Sequence, residues 1–308
     1  MDVVLTVTFP LFALILAGFV AGKRQWIDAA SLRGMTGFLF YLAVPVMLFH
    51  LMLRAPVDHS FDIRPPLIYC AVMAGLYILS MVIGRLAFHS SPGERAIQGI
   101  CSVFGNSVYI GLPVAIALLG EAAAFPLVLV IIFESIFILT TTVAILEVAK
   151  NARGRALLSS AIQVITNPVV AACVLGMLAG FAGLELPTAV DGLARLLGGA
   201  AVPCMLFALG VTLAHQRLSE RLVETGTLIG LKLLVFPALV FVLIGLLTDV
   251  DFLWQAAFTI AAASPTGANP FLVAEQYRTY VARASTTVLF STAISMLTIS
   301  ALAMWLAR

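Results

Sequence analysis

The chain has 308 residues, of which 62% are hydrophobic and only 10% are charged. A soluble domain carries about 25% charged residues, so this composition excludes a protein whose main solvent is water. The formal net charge of +2 gives no basis for nucleic acid as a partner. We therefore predict an all-α integral membrane protein that is surrounded by the lipid bilayer.

Charged residues occur in short clusters that separate long apolar stretches, each exceeding the roughly 18 residues that a transmembrane helix needs. The first stretch is predicted to be a retained helix, because no Ala-x-Ala-like cleavage site follows it. No hydrophilic domain interrupts the series, so the chain is predicted to be one membrane unit. The ten predicted transmembrane helices, called spans 1 to 10, are residues 3–21, 34–53, 65–88, 96–119, 122–147, 158–181, 192–214, 225–248, 252–275 and 281–306.

Lys and Arg residues are unevenly distributed between the two sides of the predicted membrane. Loops on one side hold 12 of them, and loops on the other side hold 4. Because cytoplasmic loops are enriched in Lys and Arg, the first side is predicted to be cytoplasmic. Both termini are then predicted on the periplasmic side of an inner membrane.

The sequence contains an internal repeat. Residues 43–49 read AVPVMLF and residues 201–207 read AVPCMLF, which are six matches in seven positions at an offset of 158. Chance matches among Leu, Val and Ala are common in an apolar chain, but matches of Pro, Met and Phe are not. The same offset pairs two more residues of the first half with residues of the second: Pro10 with Pro168, and Gly18 with Gly176.

The repeat predicts two five-helix units, residues 1–150 and residues 151–308. Since five is an odd number, the second unit enters the membrane from the opposite face, and the two units are inverted relative to each other. Inverted repeats of this kind are typical of secondary transporters, because exchanging the conformations of the two units exchanges which side is open.

Spans 4 and 9 occupy corresponding positions in the two repeats, and each contains Gly, Asn and Pro near its middle. Residues 105–113 read GNSVYIGLP, and residues 264–270 read SPTGANP. A proline removes a helical hydrogen bond, and glycine weakens the same turn. Irregular backbone at this depth must be satisfied by protein or by a polar cavity. We therefore predict that both spans are broken helices, although ordinary proline kinks are the alternative.

The two breaks are the predicted substrate site. Asn269-Pro270 reads as an N-cap followed by proline at the first helical position, and the free N–H groups of such a helix start attract an anion. Ser and Thr hydroxyls nearby would add hydrogen bonds to a carboxylate or to a coupling ion. The candidate substrate-binding residues are Asn106, Ser107, Gly111, Pro113, Ser264, Pro265, Thr266, Asn269 and Pro270.

Two ionisable residues lie deep within predicted spans, Glu134 in span 5 and Lys232 in span 8. An unpaired charge at the centre of a membrane helix costs about 2.5–3.5 kcal/mol, so such residues usually pair or line a polar path. We predict that the two form an ion pair, or that Glu134 exchanges a proton during transport. The alternative is that Lys232 extends to the interface while a protonated Glu134 is merely hydrogen-bonded.

The four cysteines all fall within apolar spans, and the sequence has no CxxC motif or Cys/His cluster. No metal site, disulfide or cofactor is therefore predicted.

The AVPxMLF stretch, the GNSVYIGLP break and the ASPTGANPFLVAEQY segment resemble bacterial members of the auxin efflux carrier family, above all its malonate-transporter-like branch. The resemblance covers nearly the full chain. It implies that spans 4 and 9 cross at their broken centres, that spans 1, 2, 6 and 7 form a scaffold that is often dimeric, and that the other spans form a moving transport domain. By this resemblance, the segments Asn106–Pro113 and Pro265–Pro270 bind a substrate carboxylate, and an elevator-like motion exposes it alternately on the two sides.

The sequence departs from plant auxin carriers in two ways. Residues 148–157 form only a short basic link where many plant members have a long cytoplasmic loop. Span 3 has no acidic residue, so the titrating carboxylate proposed there for plant relatives is missing. Glu134 is then the only deep carboxylate for proton coupling, and coupling to protons or Na⁺ stays open.

The leading function is secondary transport of a small organic anion, such as malonate or an auxin-like acid. A cation/proton antiporter of related inverted-repeat fold is the alternative, but such carriers need acidic residues at the crossing point and the two breaks contain none. An intramembrane enzyme is not expected, because HExxH, paired aspartates and a GxSxG elbow are all missing from the sequence.

Overall fold

The structure is a computed structural model that describes residues 9–54, 62–149, 167–214 and 221–306. These residues are helical apart from short connections and one isolated β-bridge. Among them, six helices are long and apolar enough to cross a membrane. The predicted all-α membrane fold is confirmed at this level, and the number of ten spans stays a prediction.

The helices are numbered in chain order. The six long ones are α2 (Ala30–Leu53), α3 (Arg64–Leu86), α6 (Glu121–Ala149), α8 (Thr188–Ala214), α9 (Leu222–Leu247) and α12 (Val281–Leu306). The shorter ones are α1 (Phe9–Lys23), α4 (Pro92–Val103), α5 (Ser107–Leu119), α7 (Pro168–Phe181), α10 (Phe252–Ala263) and α11 (Asn269–Tyr277).

Predicted spans 4 and 9 are both interrupted in the structure. Span 4 corresponds to α4 and α5, which are separated by residues 104–106, the first interruption. Span 9 corresponds to α10 and α11, which are separated by residues 264–268, the second interruption. The starts of predicted spans 3–21 and 158–181, and the predicted boundary between residues 150 and 151, lie outside the described residues.

Helices α1, α2, α7 and α8 form a first packing group, in which glycines bring helix backbones into contact. A Cβ atom on Gly18 of α1 would lie 2.0 Å from the carbonyl oxygen of Phe207 in α8. A Cβ atom on Gly176 of α7 would lie 2.5 Å from the carbonyl oxygen of Phe49 in α2. Because Gly18 and Gly176, and likewise Phe49 and Phe207, are separated by the repeat offset of 158, the two contacts are reciprocal. Two inverted copies would pack in this way.

Helices α3 to α6 and α9 to α12 form a second packing group, in which α3 packs against α4 and α9, and α12 packs against α9 and α11. Buried polar side chains link its members. The hydroxyls of Tyr77 and Thr142 are 3.0 Å apart, and the Tyr277 hydroxyl donates to Glu147 at 2.6 Å. In the first group, His50 Nε2 lies 2.8 Å from an Asp191 carboxylate oxygen. These polar bonds therefore join helices of the same group.

Three prolines within helices follow π-helical turns. A proline ring clashes with the carbonyl of the preceding turn, and the wider π turn leaves room for it. The prediction that the break extends to Pro113 is therefore wrong. The irregular backbone is confined to residues 104–106, and the helix resumes at Ser107. The π-helical turns Leu39–Ala43, Ser107–Gly111 and Leu231–Val235 each end two residues before a proline, which are Pro45, Pro113 and Pro237 respectively.

Candidate functional site

The two interruptions bond to each other through their backbones. The Asn106 N–H donates to the Pro265 carbonyl at 2.7 Å, and the Gly267 N–H donates to the Phe104 carbonyl at 3.1 Å. A helix that stops within an apolar environment leaves polar backbone groups that need partners. Each interruption supplies partners for the other, which explains how irregular backbone is tolerated at two neighbouring places.

Thr266 adds two further hydrogen bonds at the same place. Its hydroxyl donates to the Cys101 carbonyl in the last turn of α4 at 2.9 Å, and its backbone N–H donates to the Ser291 hydroxyl of α12 at 3.1 Å. Both Thr266 and Ser291 are fully buried. Thr266 therefore provides a donor for a carbonyl at the end of α4 and bonds the second interruption to α12.

Glu134 of α6 lies against the first interruption. Its Oε1 atom accepts a hydrogen bond from the Tyr69 hydroxyl at 2.9 Å and one from the Gly105 N–H at 3.3 Å. Its Oε2 atom accepts one from the Ser107 hydroxyl at 3.3 Å. Because Ser107 begins α5, the carboxylate lies at the positive N-terminal end of that helix, where an anion is favoured.

Lys232 of α9 lies at the end of α10. Its Nζ donates to the Ala262 carbonyl at 2.6 Å and lies 4.9 Å from the centre of the Phe236 ring. A cation is favoured there, because the last four carbonyls of a helix lack intrahelical partners. Glu134 thus compensates the positive start of α5, and Lys232 compensates the negative end of α10.

The predicted direct ion pair between Lys232 and Glu134 is therefore wrong. The ion pairs of the described residues do not include one between these side chains, although the two charges still interact electrostatically. The alternative in which Lys232 reaches the membrane interface is also wrong, since the side chain has 0% exposure. The interrupted end of α10 offers the ammonium group a nearer partner than the interface does.

The start of α11 is the more open part of the interruptions. Ala268 is exposed and Asn269 is partly exposed. The predicted N-cap at Asn269 is wrong by one residue, because Ala268 occupies the cap position and Asn269 is the first helical residue. An alanine has no side-chain oxygen with which to cap, so N–H groups of the first turn are left for a ligand or water.

Asn106 is the polar side chain of the first interruption that lacks a partner. It is 6% exposed, and its side-chain amide makes no hydrogen bond to another described residue. The fully buried side-chain polar atoms that lack a partner among the described residues do not include those of Asn106, so its amide keeps some accessibility and can bond to water or to a ligand.

The structure brings the predicted binding residues into one region. Gly111 of α5 packs directly against the second interruption, since a Cβ atom there would lie 2.6 Å from the Ser264 hydroxyl oxygen. The first interruption contains Asn106, and α5 contains Ser107, Gly111 and Pro113. The second interruption contains Ser264, Pro265 and Thr266. The first turn of α11 contains Asn269 and Pro270.

Sequence reasoning missed Tyr69 and Ser291, which bond to Glu134 and Thr266 respectively. A signal for Ser291 was present, because Thr287, Ser291 and Ser295 recur at helical spacing in span 10, and all three are buried. A single tyrosine near the start of span 3 gave no comparable signal for Tyr69.

Glu224 is a second buried acidic residue, which the sequence pattern did not indicate. It lies in the first turn of α9 and is 2% exposed. Its Oε1 atom accepts hydrogen bonds from the Tyr280 hydroxyl at 2.6 Å and from Arg283 at 3.2 Å. Its position one residue before predicted span 8 concealed its burial, since a residue outside the spans is expected to reach water.

Replacing Thr266 with valine should lower the free energy of unfolding by about 1–3 kcal/mol, because the Cys101 carbonyl loses its donor while it stays buried. Thermal unfolding in detergent measures the change. Thr227→Val is the matched control, since that hydroxyl bonds within its own helix at an exposed position. Equal unfolding midpoints for the two variants would contradict the assigned hydrogen bond.

Two cavities lie away from the interruptions. One of about 420 Å³ lies between α3 and α9 and has an apolar lining that includes Val72, Gly75 and Leu243. The other, of about 200 Å³, lies near the starts of α6 and α10 and includes Asp251 and Trp254. Because Ser107, Ser264 and Thr266 are almost fully buried, a solute reaches them only if helices move.

A family described as "Membrane transport protein" matches residues 3–303 of the chain. The "Putative malonate transporter" of Rhizobium meliloti is 29% identical over 95% of this chain and 92% of its own length. The "Uncharacterized transporter YfdV" of Escherichia coli is 25% identical over 88% of this chain and 87% of its own length. "Auxin efflux carrier component 8" of Arabidopsis thaliana is 22% identical over 95% of this chain and 94% of its own length. The similarity therefore extends over both interruptions.

Proposed function

The chain belongs to the membrane transport protein family, as its resemblance to auxin efflux carriers indicated, and from this premise we propose that it is a secondary transporter of a small organic anion. It is a multi-pass membrane transporter and not an enzyme. The proposed substrate carries a carboxylate, as malonate or an auxin-like acid does. The relative whose name includes malonate supports that choice of class.

The observation that carries the proposal is the meeting of the two interruptions, with the Asn106 amide unpaired and the start of α11 uncapped beside it. Free N–H groups at a helix start favour a negatively charged group, and an amide N–H₂ is a further donor. The candidate residues of the two interruptions would therefore hold the carboxylate between α5 and α11.

The proposed motion is elevator-like, with the first packing group as a fixed scaffold and the second as the moving transport domain. Buried polar bonds inside the second group, such as those of Tyr77 and Glu134, support movement as a unit. The proposed units 1–150 and 151–308 would be inverted repeats, which the reciprocal contacts of Gly18 and Gly176 support. The proposal includes crossed interrupted helices, periplasmic termini in an inner membrane, and a homodimer formed through the scaffold.

Asn106→Ala and Asn269→Ala variants should each reduce malonate uptake into proteoliposomes by about tenfold or more, since each removes an amide from the proposed carboxylate site. Asn167→Ala is the matched control, because that asparagine caps α7 by accepting from the Val169 N–H at 2.9 Å, in the first packing group. Its uptake should stay near the wild-type rate. Wild-type uptake by both folded test variants would refute the site.

A cation/proton antiporter is the second candidate, and one observation favours it: Glu134 reaches the first interruption, although no acidic residue lies within it. Its two oxygens are already engaged by three donors, which leaves less of the carboxylate for a metal cation. Flux driven by a Na⁺ or pH gradient without any organic anion would favour the antiporter. Flux that requires the organic anion would favour the proposed transporter.

A further inference from the structure

We infer that Glu134 determines charge specificity: its carboxylate acts as an internal anion at the first interruption and disfavours a substrate with a second negative charge. This inference rests on the proposed function. It names the substrate class more closely, as an organic acid with one carboxylate whose other end is neutral.

The geometry places the carboxylate where a substrate anion would otherwise bind. Glu134 is 1% exposed, and it accepts from the Gly105 N–H and the Ser107 hydroxyl, which precede and begin α5. The favourable charge position at this helix start is therefore already occupied by the protein itself. Tyr69 holds the same carboxylate from α3 with a hydrogen bond of 2.9 Å, which fixes its position.

The second interruption has a neutral group at the matching position. Its Thr266 N–H donates to the Ser291 hydroxyl at 3.1 Å, just as the Gly105 N–H donates to Glu134. Glu134 and Ser291 are 157 residues apart, the same offset that separates Pro113 from Pro270. The matching positions at the two interruptions therefore differ by one negative charge, and no carboxylate occupies the position at the second interruption that corresponds to Glu134.

A second carboxylate on the substrate would approach Glu134. The two interruptions are bonded to each other, so a small solute at the start of α11 lies close to the first interruption as well. Like charges repel strongly in a medium of low polarity. Lys232 does not cancel this charge by direct contact, because its ammonium group donates to Ala262 at the end of α10.

The test compares two ligands of nearly the same shape, malonate and malonamate, in which a neutral amide replaces one carboxylate. Calorimetric titration of the purified protein gives a dissociation constant for each. The wild-type protein should bind malonamate at least as tightly as malonate. In Glu134→Gln the affinity for malonate relative to malonamate should rise by about tenfold, because the internal charge is gone while the shape is kept.

Tyr69→Phe is the matched control, since it removes one hydrogen bond to Glu134 and leaves the charge in place. Its ratio of affinities should equal that of the wild type. An unchanged ratio in Glu134→Gln would refute the inference, whereas failure of every protein to bind either ligand would refute the proposed function instead. If Glu134→Gln does not fold, the wild-type protein decides: preference for malonamate supports the inference, and tighter binding of malonate overturns it.

Discussion

Lys232→Met is expected to lower the free energy of unfolding by about 3 kcal/mol, because Glu134 loses the attraction of a buried opposite charge and the end of α10 loses its cation. Lys232 has 0% exposure and Glu134 has 1% exposure, so water cannot replace the lost ammonium group. The Ala262 carbonyl would also lose its donor at the end of α10. Methionine keeps the length of the side chain, so the change removes charge and hydrogen bonding with little loss of volume.

The double variant Lys232→Met/Glu134→Gln separates charge compensation from packing. It should be more stable than Lys232→Met alone, because no uncompensated charge remains. Thermal unfolding in detergent, measured for wild type, both single variants and the double variant, completes the cycle. Additive losses would show that the two charges are independent, which would contradict their electrostatic interaction.

Gly18→Ala and Gly210→Ala are expected to cost about 3 kcal/mol or more each, at the upper end of the range for overpacking. A Cβ atom on Gly18 would lie 2.0 Å from the Phe207 carbonyl oxygen, and one on Gly210 would lie 2.0 Å from the Ile15 carbonyl oxygen. A helix backbone cannot rotate away as a flexible side chain can, so α1 and α8 would have to separate. Loss of folded protein on size-exclusion chromatography and a lower unfolding midpoint measure the effect.

Gly75→Ala is the matched control for these glycine variants, because a Cβ atom at Gly75 of α3 meets nothing within 4 Å. In a helix interior, alanine is favoured over glycine by about 0.5–1 kcal/mol, so this variant should be equally or more stable. Similar losses at Gly75 and Gly18 would show that the cost comes from helix propensity and not from contact between α1 and α8.

The interruptions were predictable from sequence, whereas their exact extents were not. Proline and glycine act on the backbone of their own turn, so residues 105–113 and 264–270 already indicate weakened helix. The structure shortens the first break to residues 104–106, because a π-helical turn accommodates Pro113. Whether a turn widens or breaks depends on the helices packed around it, which the local sequence does not show.

The partners of the buried charges could not be predicted. The sequence places Glu134 and Lys232 within apolar spans, and opposite charges in such surroundings predict a pair. In the structure, each side chain instead contacts the end of a helix next to an interruption. Glu134 accepts from Ser107 at the start of α5, and Lys232 donates to Ala262 at the end of α10. Helix ends appear as partners only after the interruptions form and pack beside these side chains.

The sequence by itself determined the membrane environment, the helical class, the family and the two interrupted segments. These follow from hydrophobicity, motifs and local backbone preferences, which act over a few residues. Only the tertiary structure decided which groups satisfy the interruptions, such as the bond from Thr266 to the Cys101 carbonyl across 165 residues of chain. The physical reason is that every freed backbone group in an apolar interior needs a partner, and packing alone brings distant residues close enough to provide one.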